Sequence, residues 1–320
     1  MQTVNRITTL LISIVLISFL LDKLTYFAIK NIEENVFTGQ NVGKFNHYLT
    51  VKDTIDLAFY GSSRANHHFN PDMFSENSFN MGMDGRKLAY CWTAIKLLPN
   101  NKEQEVIINI DPGNVFNVNY KGEDLNSLTY QFHKNIQIKE ELTRFKNKII
   151  NPLINFYWCI SYNSKLLGII VNYLKPKYNY KRYNGYDPIV VSETQKSIRR
   201  KIFQRNLVDD CVDKDSLLNE PNKLAINYLK LIIEYCNLNN KSLFIVTTPI
   251  RNDYCKKDNQ RLHQIMDSLS ATYWDFTDFF KENEDPDLWK DNTHLSSSGA
   301  NQFSKYFSSE IKRYRQSSKE

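Results

Sequence analysis

Three short stretches of this sequence hold residue types that can move a proton to and from a nucleophile. Gly61-Ser62-Ser63-Arg64 places hydroxyls directly after a glycine, and Asp291-Asn292-Thr293-His294-Leu295 places a carboxylate three residues before an imidazole. A serine hydroxyl is a weak nucleophile until an imidazole takes its proton, and a carboxylate on the far ring nitrogen fixes the imidazole tautomer. Ser63, His294 and Asp291 thus supply the groups needed for acyl transfer through an acyl-enzyme. The third stretch, Asn80-Met81-Gly82-Met83-Asp84-Gly85-Arg86, is an N-x-G-x-x-G turn able to direct a backbone N–H toward a developing oxyanion. Each has a plainer reading when taken alone: a common Gly-Ser-Ser loop, an unremarkable D-x-x-H, a free-standing turn.

Bringing these stretches together requires regular elements between them. Residues 55–60 form a compact apolar run ended by Gly61, the pattern of a buried strand, and 78–81 fit a second short strand. Leu88, Cys91, Trp92, Ile95 and Leu98 recur at helical spacing over 87–98, and Pro99 stops that helix. The β-branched residues of 105–110 predict a third strand, ended at Asp111-Pro112-Gly113. A helix over 221–238, a strand over 242–247 closed by Pro249, a helix over 260–269, a strand over 272–276 and a last helix from about 298 to 313 follow. This alternation predicts an α/β fold, a mostly parallel sheet sandwiched by helices in a flavodoxin-like three-layer arrangement, with reactive groups at the carboxyl ends of the strands.

Strand-Gly-x-Ser, then strand-N-x-G-x-x-G, then D-x-x-H-L followed by Ser298-Gly299 and a closing helix resembles the SGNH/GDSL hydrolase superfamily over about 55–111 and 221–314. The resemblance implies Ser63 as nucleophile, His294 as base, Asp291 as its acid partner, and the N–H groups of Ser63 and Gly85 as an oxyanion hole. Ser62 stands where the family usually has Asp. That departure is similar to a membrane-anchored branch, including DltD-like and alginate-acetylation-type proteins, which acts in acyl transfer to envelope polymers. The family's third motif is Gly-x-Asn-Asp, whose Asn donates to the oxyanion; this chain reads Asn109-Ile110-Asp111-Pro112-Gly113-Asn114. Asn114 is the expected donor and Asn109 the alternative, and loss of such a donor costs about 3 kcal/mol of transition-state stabilisation. Arg64 and Asn80 are expected to meet substrate, Arg64 either by binding an anionic group or by pairing on the surface. No cofactor is expected. His67 and His68 lack a spaced Asp, Glu or Cys set, so they are expected to line the cleft or face water rather than bind a metal. His133 and His263 have no chemical company nearby in the sequence.

The rest of the chain sets the location and the partners. With 42% apolar and 24% charged residues it is neither disordered nor polytopic in a membrane. Residues 7–21 are almost wholly apolar, the pattern resumes after Asp22 and Lys23, and no A-x-A-like site follows. These features predict an uncleaved membrane anchor over 1–30 and a domain over 31–320 outside the cytoplasm, periplasmic or at the cell surface, although the positive-inside bias is weak. The interval of about 114–220 breaks the β-α rhythm and reads as a mainly helical insertion. Within it, 152–174 is apolar and aromatic but interrupted by Lys165, which predicts a core or lid helix, with a membrane-surface contact as the alternative.

Residues 175–205 hold nine Lys or Arg against two acids and so carry the whole +6 excess. Such a stretch is either a solvated face or a polyanion contact. No nucleic-acid-binding motif accompanies it, so nucleic acid is not an expected partner. The five cysteines are odd in number and irregularly spaced, which argues against a disulfide framework. Together these readings predict an envelope-facing O-acyl esterase or O-acyltransferase. Its substrate would be an acylated carbohydrate or cell-surface polymer, and its partners the membrane and a membrane acyl-donor protein. The alternatives are a non-catalytic binding or assembly protein for an anionic polysaccharide or membrane surface, and a polyanion binder built on the basic stretch.

Overall fold

The computed structural model describes residues 2–74, 76–144, 153–205, 220–251, 253, 256–283 and 285–317. They divide into two units, Met1–His47 with Leu125–Lys181, and Tyr48–Asp124 with Arg182–Glu320.

The second unit is built on a sheet of β1 (Leu57–Tyr60), β2 (Ser78–Asn80), β3 (Gln104–Asn109), β4 (Lys241–Thr247) and β5 (Tyr273–Asp275). All pairings are parallel and the order is β2-β1-β3-β4-β5. Each strand lies within a residue or two of the run that predicted it. All four residues of β1 are buried, as expected of a strand covered on both faces. Alternation along the strand sends Leu57 and Phe59 to one face, where Phe59 stacks on Phe69 within a core that includes Phe303, Phe307 and Ile311 of the helix Ser297–Ser317. Tyr60 points the other way, its hydroxyl 2.9 Å from that of Tyr48, which donates to the Ala94 carbonyl. On that second face the helix Lys223–Leu238 packs on β4 and on the helix Leu88–Ile95. Chain order reverses between β1 and β3, and in open parallel sheets a crevice forms at the carboxyl ends of strands flanking such a switch.

The helix Leu88–Ile95 has no cap of its own. Asp124 provides one from across the chain, its Oδ2 accepting from the N–H groups of Lys87 and Tyr90.

In the first unit one helix among the described residues, Gln2–Glu33, is long and apolar enough to cross a membrane. At 1.5 Å per residue it spans about 48 Å, against about 30 Å of hydrocarbon. The N–H groups of Trp158 and Cys159 donate to the Asp22 carboxylate, and the Tyr26 ring meets those of Trp158, Tyr162 and His133. Glu33 is fully buried but compensated, by an ion pair with Lys134 and a 2.9 Å bond from Asn46 Nδ2.

The interval read as one insertion is helical, without a strand among the described residues, but it is shared between the units. Leu125–Lys181 goes with the amino-terminal helix and the part from Arg182 on goes with the sheet. The physical reason lies in the helix Glu193–Arg205: Arg199 is buried and donates to the Trp289 carbonyl, and Arg200 pairs with Asp287 at 2.8 Å. Part of the basic stretch is therefore structural. Cys91, Cys159 and Cys236 are free thiols, and Cys211 and Cys255 lie outside the described residues.

Candidate active site

The chain leaves β1 through Gly61, at φ +142°, where an added Cβ would lie 2.8 Å from Ala65 Cβ and 3.0 Å from the Asn109 carbonyl oxygen. Only glycine fits so tight an exit from the strand. Ser62 holds the N-cap position of the helix Ser63–His68 without a side-chain capping bond, so Ser63 stands at its first position, where backbone N–H groups have no intrahelical acceptor. The neighbouring loop is hooked on by Met83 N–H, which donates to the Gly61 carbonyl at 3.0 Å. Gly82 allows the approach, since a Cβ there would lie 2.5 Å from the Asn66 nitrogen. Gly85 is the exposed tip of this loop, in left-handed backbone at φ +69°.

Across the sequence, 289–295 folds into a small loop closed by an antiparallel bridge between Trp289 and Leu295. The loop presents His294 Nε2 2.8 Å from Ser63 Oγ. On the other side of the ring, Nδ1 lies 3.0 Å from both oxygens of Asp291. A carboxylate only accepts, so the ring proton sits on Nδ1 and Nε2 accepts from the serine hydroxyl. Asp291 also accepts from the Thr293 N–H at 2.8 Å, the Thr293 hydroxyl at 3.0 Å and the His294 N–H at 2.9 Å. Partial burial works to raise its pKa, but the bonds from His294 and Thr293 outweigh that and hold the carboxyl well below the usual carboxylate range. Three residues up to 231 positions apart thus form one hydrogen-bonded chain with the polarity of a proton relay.

The relay opens into a cleft of about 390 Å³ whose lining includes Ser62, Ser63, Arg64, Asp111, Thr293 and His294 together with Asp253, Asp258 and Asn259. Arg64 is not a surface pair. Its guanidinium is buried, paired with Asp111 and donating to the Thr248 carbonyl, and burial lowers its pKa to about 9, which leaves it cationic at neutral pH. Asn80, expected to meet substrate, is also committed and fully buried. Its Nδ2 donates to the carbonyls of Ala65 and Phe69, and its Oδ1 accepts from the Gly82 N–H. Substrate contact gives way to a turn anchor, because an Asn two residues before a glycine satisfies its own loop first.

Asn114 closes a capping box, its Oδ1 accepting from the Asp111 N–H at 3.0 Å. Asn109, at the end of β3, uses Oδ1 to accept from the Thr248 N–H at 3.1 Å, while its Nδ2 is buried with no hydrogen-bond partner among the described residues. Of the two asparagines, Asn109 is the one holding an unspent buried amide donor.

The adjacent histidines have separate tasks. His68 is buried, accepts the Leu295 N–H on Nε2 at 3.0 Å and meets the Thr248 hydroxyl with Nδ1, so it pins the residue after His294. Burial and the nearby Arg64 push its pKa well down, keeping it neutral. His67 meets the Asp187 carbonyl at 2.7 Å and the Asp84 carboxylate at 3.2 Å, with its ring centroid 5.9 Å from that of His294. Burial lowers its pKa, but these two acceptors outweigh burial and the net shift is upward. Among the described residues no group of three His, Cys, Asp or Glu is placed to hold a metal.

Sequence reasoning did not single out His68, Thr293, Thr248 or Arg199 as supports of this site. Only Thr293 carried a local signal, lying inside D-x-x-H. No protein-family model matches the chain, and neither does any curated protein.

Proposed function

We propose that this protein is a serine O-acyl esterase or O-acyltransferase of the SGNH/GDSL-like kind. The observation that carries the reading is the continuous Ser63–His294–Asp291 relay at 2.8 and 3.0 Å, opening into a cleft at the β1/β3 switch. In the proposed reaction Ser63 Oγ attacks an acyl carbonyl while its proton passes to His294 Nε2. The tetrahedral oxyanion collapses, the C–O bond to the leaving alcohol breaks, and His294 returns the proton to that oxygen. The acyl-Ser63 ester is then attacked by water or by a sugar hydroxyl, which gives its proton to the same nitrogen; the acyl carbon–Oγ bond breaks and His294 passes that proton to Ser63 Oγ. Oxyanion donors in this reading are the Ser63 and Gly85 N–H groups, joined by the side-chain amide of Asn114 or by Asn109 Nδ2, which is buried with no partner among the described residues.

Acylated carbohydrate or an envelope polymer is the proposed substrate, with the amino-terminal helix holding an extracytoplasmic domain at the membrane near an acyl-donating membrane protein. Fluorophosphonate labelling of the purified full chain is the direct test. Wild type should label and Ser63→Ala should not. A wild-type protein that neither labels nor turns over p-nitrophenyl acetate would favour the second reading, a non-catalytic binding or assembly protein. The observation favouring that reading is the departure of Asn109–Asn114 from the Gly-x-Asn-Asp pattern.

A further inference from the structure

The helix Leu166–Leu174 buries only a narrow seam in its own unit. Ile169 is 1% exposed, and Asn172 bonds to the Gly168 carbonyl and meets the Thr38 hydroxyl. Its opposite stripe is Leu166, Leu167, Ile170, Val171 and Leu174, spaced to share one helix face, with Leu167 77% and Leu174 70% exposed. This helix packs beside Gln2–Glu33, whose Leu20, Leu21, Leu24 and Phe27 are exposed as well. Aromatic and charged residues mark a level along that long helix. The Lys23 ammonium lies 4.4 Å from the Trp158 ring and 4.5 Å from that of Phe19, and the Tyr157 hydroxyl is 2.9 Å from that of Ser18. Trp, Tyr and Lys gather where a spanning helix leaves hydrocarbon for headgroups. The exposed stripe follows this level in the chain. Beyond it come Lys175, Lys177 and Lys181, all exposed, with no acidic residue between them.

We propose, on the reading that Gln2–Glu33 enters a bilayer, that Leu166–Leu174 lies in the interfacial layer of an anionic membrane with its leucine stripe in the acyl region and Lys175, Lys177 and Lys181 on the lipid phosphates. An apolar helix face and a basic cluster are two signals of the kind that together give stable membrane association. This contact is separate from acyl transfer at Ser63.

The test reconstitutes the full chain in phosphatidylcholine/phosphatidylglycerol vesicles carrying a trace of phospholipid with a diazirine high in its acyl chain. After irradiation, adducts are mapped by mass spectrometry. Adducts are expected on 166–174 as well as on the amino-terminal helix. Labelling of 166–174 should fall several-fold in phosphatidylcholine alone and in the Lys175→Glu/Lys177→Glu/Lys181→Glu chain, with labelling of the long helix unchanged as the internal standard. Ser63→Ala should label like wild type, so failure of the esterase reading leaves this result intact. Adducts confined to the long helix would overturn the proposal, as would labelling of 166–174 indifferent to lipid charge and to the lysine reversals, or cross-links that join 166–174 to a second copy of the chain. Absence of adducts on the long helix itself would remove its premise.

Discussion

The two sides of the cleft are held by different means. On the Ser63 side the main chain provides most of the hold: β1 is paired with both β2 and β3, Met83 N–H bonds to the Gly61 carbonyl, and Asn66 N–H closes the first helical turn on the Ser62 carbonyl. On the His294 side fewer main-chain bonds, such as Arg251 N–H on the Asn292 carbonyl, are joined by side chains far away in sequence: His68 on the Leu295 N–H, Arg199 on the Trp289 carbonyl, and Arg200 on Asp287 just before the loop. A ladder of backbone bonds tolerates most single side-chain changes, whereas a loop that relies on individual side chains as well loses part of its support when one is removed. The nucleophile side should therefore fail through backbone strain, and the base side through loss of distant partners.

The largest expected effect tests the relay itself. His294→Ala should cut fluorophosphonate labelling and ester turnover about 10³-fold or more while thermal unfolding stays close to wild type; turnover near the wild-type rate would remove the loop from the chemistry. Next comes strain on the strand side. Gly61→Ala puts a Cβ into Ala65 and the Asn109 carbonyl at a positive φ, so it should cost about 2 kcal/mol or more. That lowers the melting temperature by about 5 °C or more, and calorimetry that finds no change would break the comparison.

A smaller and more diagnostic effect is expected at the loop supports. His68→Ala leaves the buried Leu295 N–H without its acceptor, at about 1–3 kcal/mol. Its activity should fall about tenfold more than the stability loss explains, because His294 is no longer held against Ser63; Arg199→Ala should act in the same direction. Activity unchanged in both variants would mean that the loop holds itself.

The smallest expected effect is a pH dependence on the strand side. Because the folded pKa of His67 is raised by Asp84 and the Asp187 carbonyl, its stabilisation is fully present below its unfolded value of about 6.5 and is lost as pH rises through the folded one. The melting-temperature advantage of wild type over His67→Gln should shrink from pH 5.5 toward pH 9. An advantage that grew over that range would contradict the assignment.

Much of the scaffold is legible in the sequence because its signals are local. Runs such as Val106, Ile107 and Ile108 can be little other than a buried strand, and Gly61 marks the place where the chain must turn tightly. The residues of the relay were legible by type and order, since D-x-x-H puts an acid and a base on one loop. Less legible was the fate of polar residues beside them. Arg64 and Asn80 sit next to the reactive stretches in the sequence, yet both make buried bonds, to Asp111 and Thr248 in one case and to the backbone of Ala65, Phe69 and Gly82 in the other. The basic stretch likewise read as one surface feature, although Arg199 is buried under the 289–295 loop.

By itself the sequence determined which segments become strands and helices, where the parallel sheet presents its carboxyl ends, and which hydroxyl, imidazole and carboxylate are available there. Those properties depend on residues a few positions apart, which meet in any conformation. Only the tertiary structure decided that Ser63 meets His294 at 2.8 Å, that Asp124 caps a helix begun at Leu88, that His68 holds the residue after His294, and that 114–220 is divided between two units. Each of these joins groups tens to hundreds of residues apart, whose bond exists only after the elements between them have packed, so no local pattern encodes it.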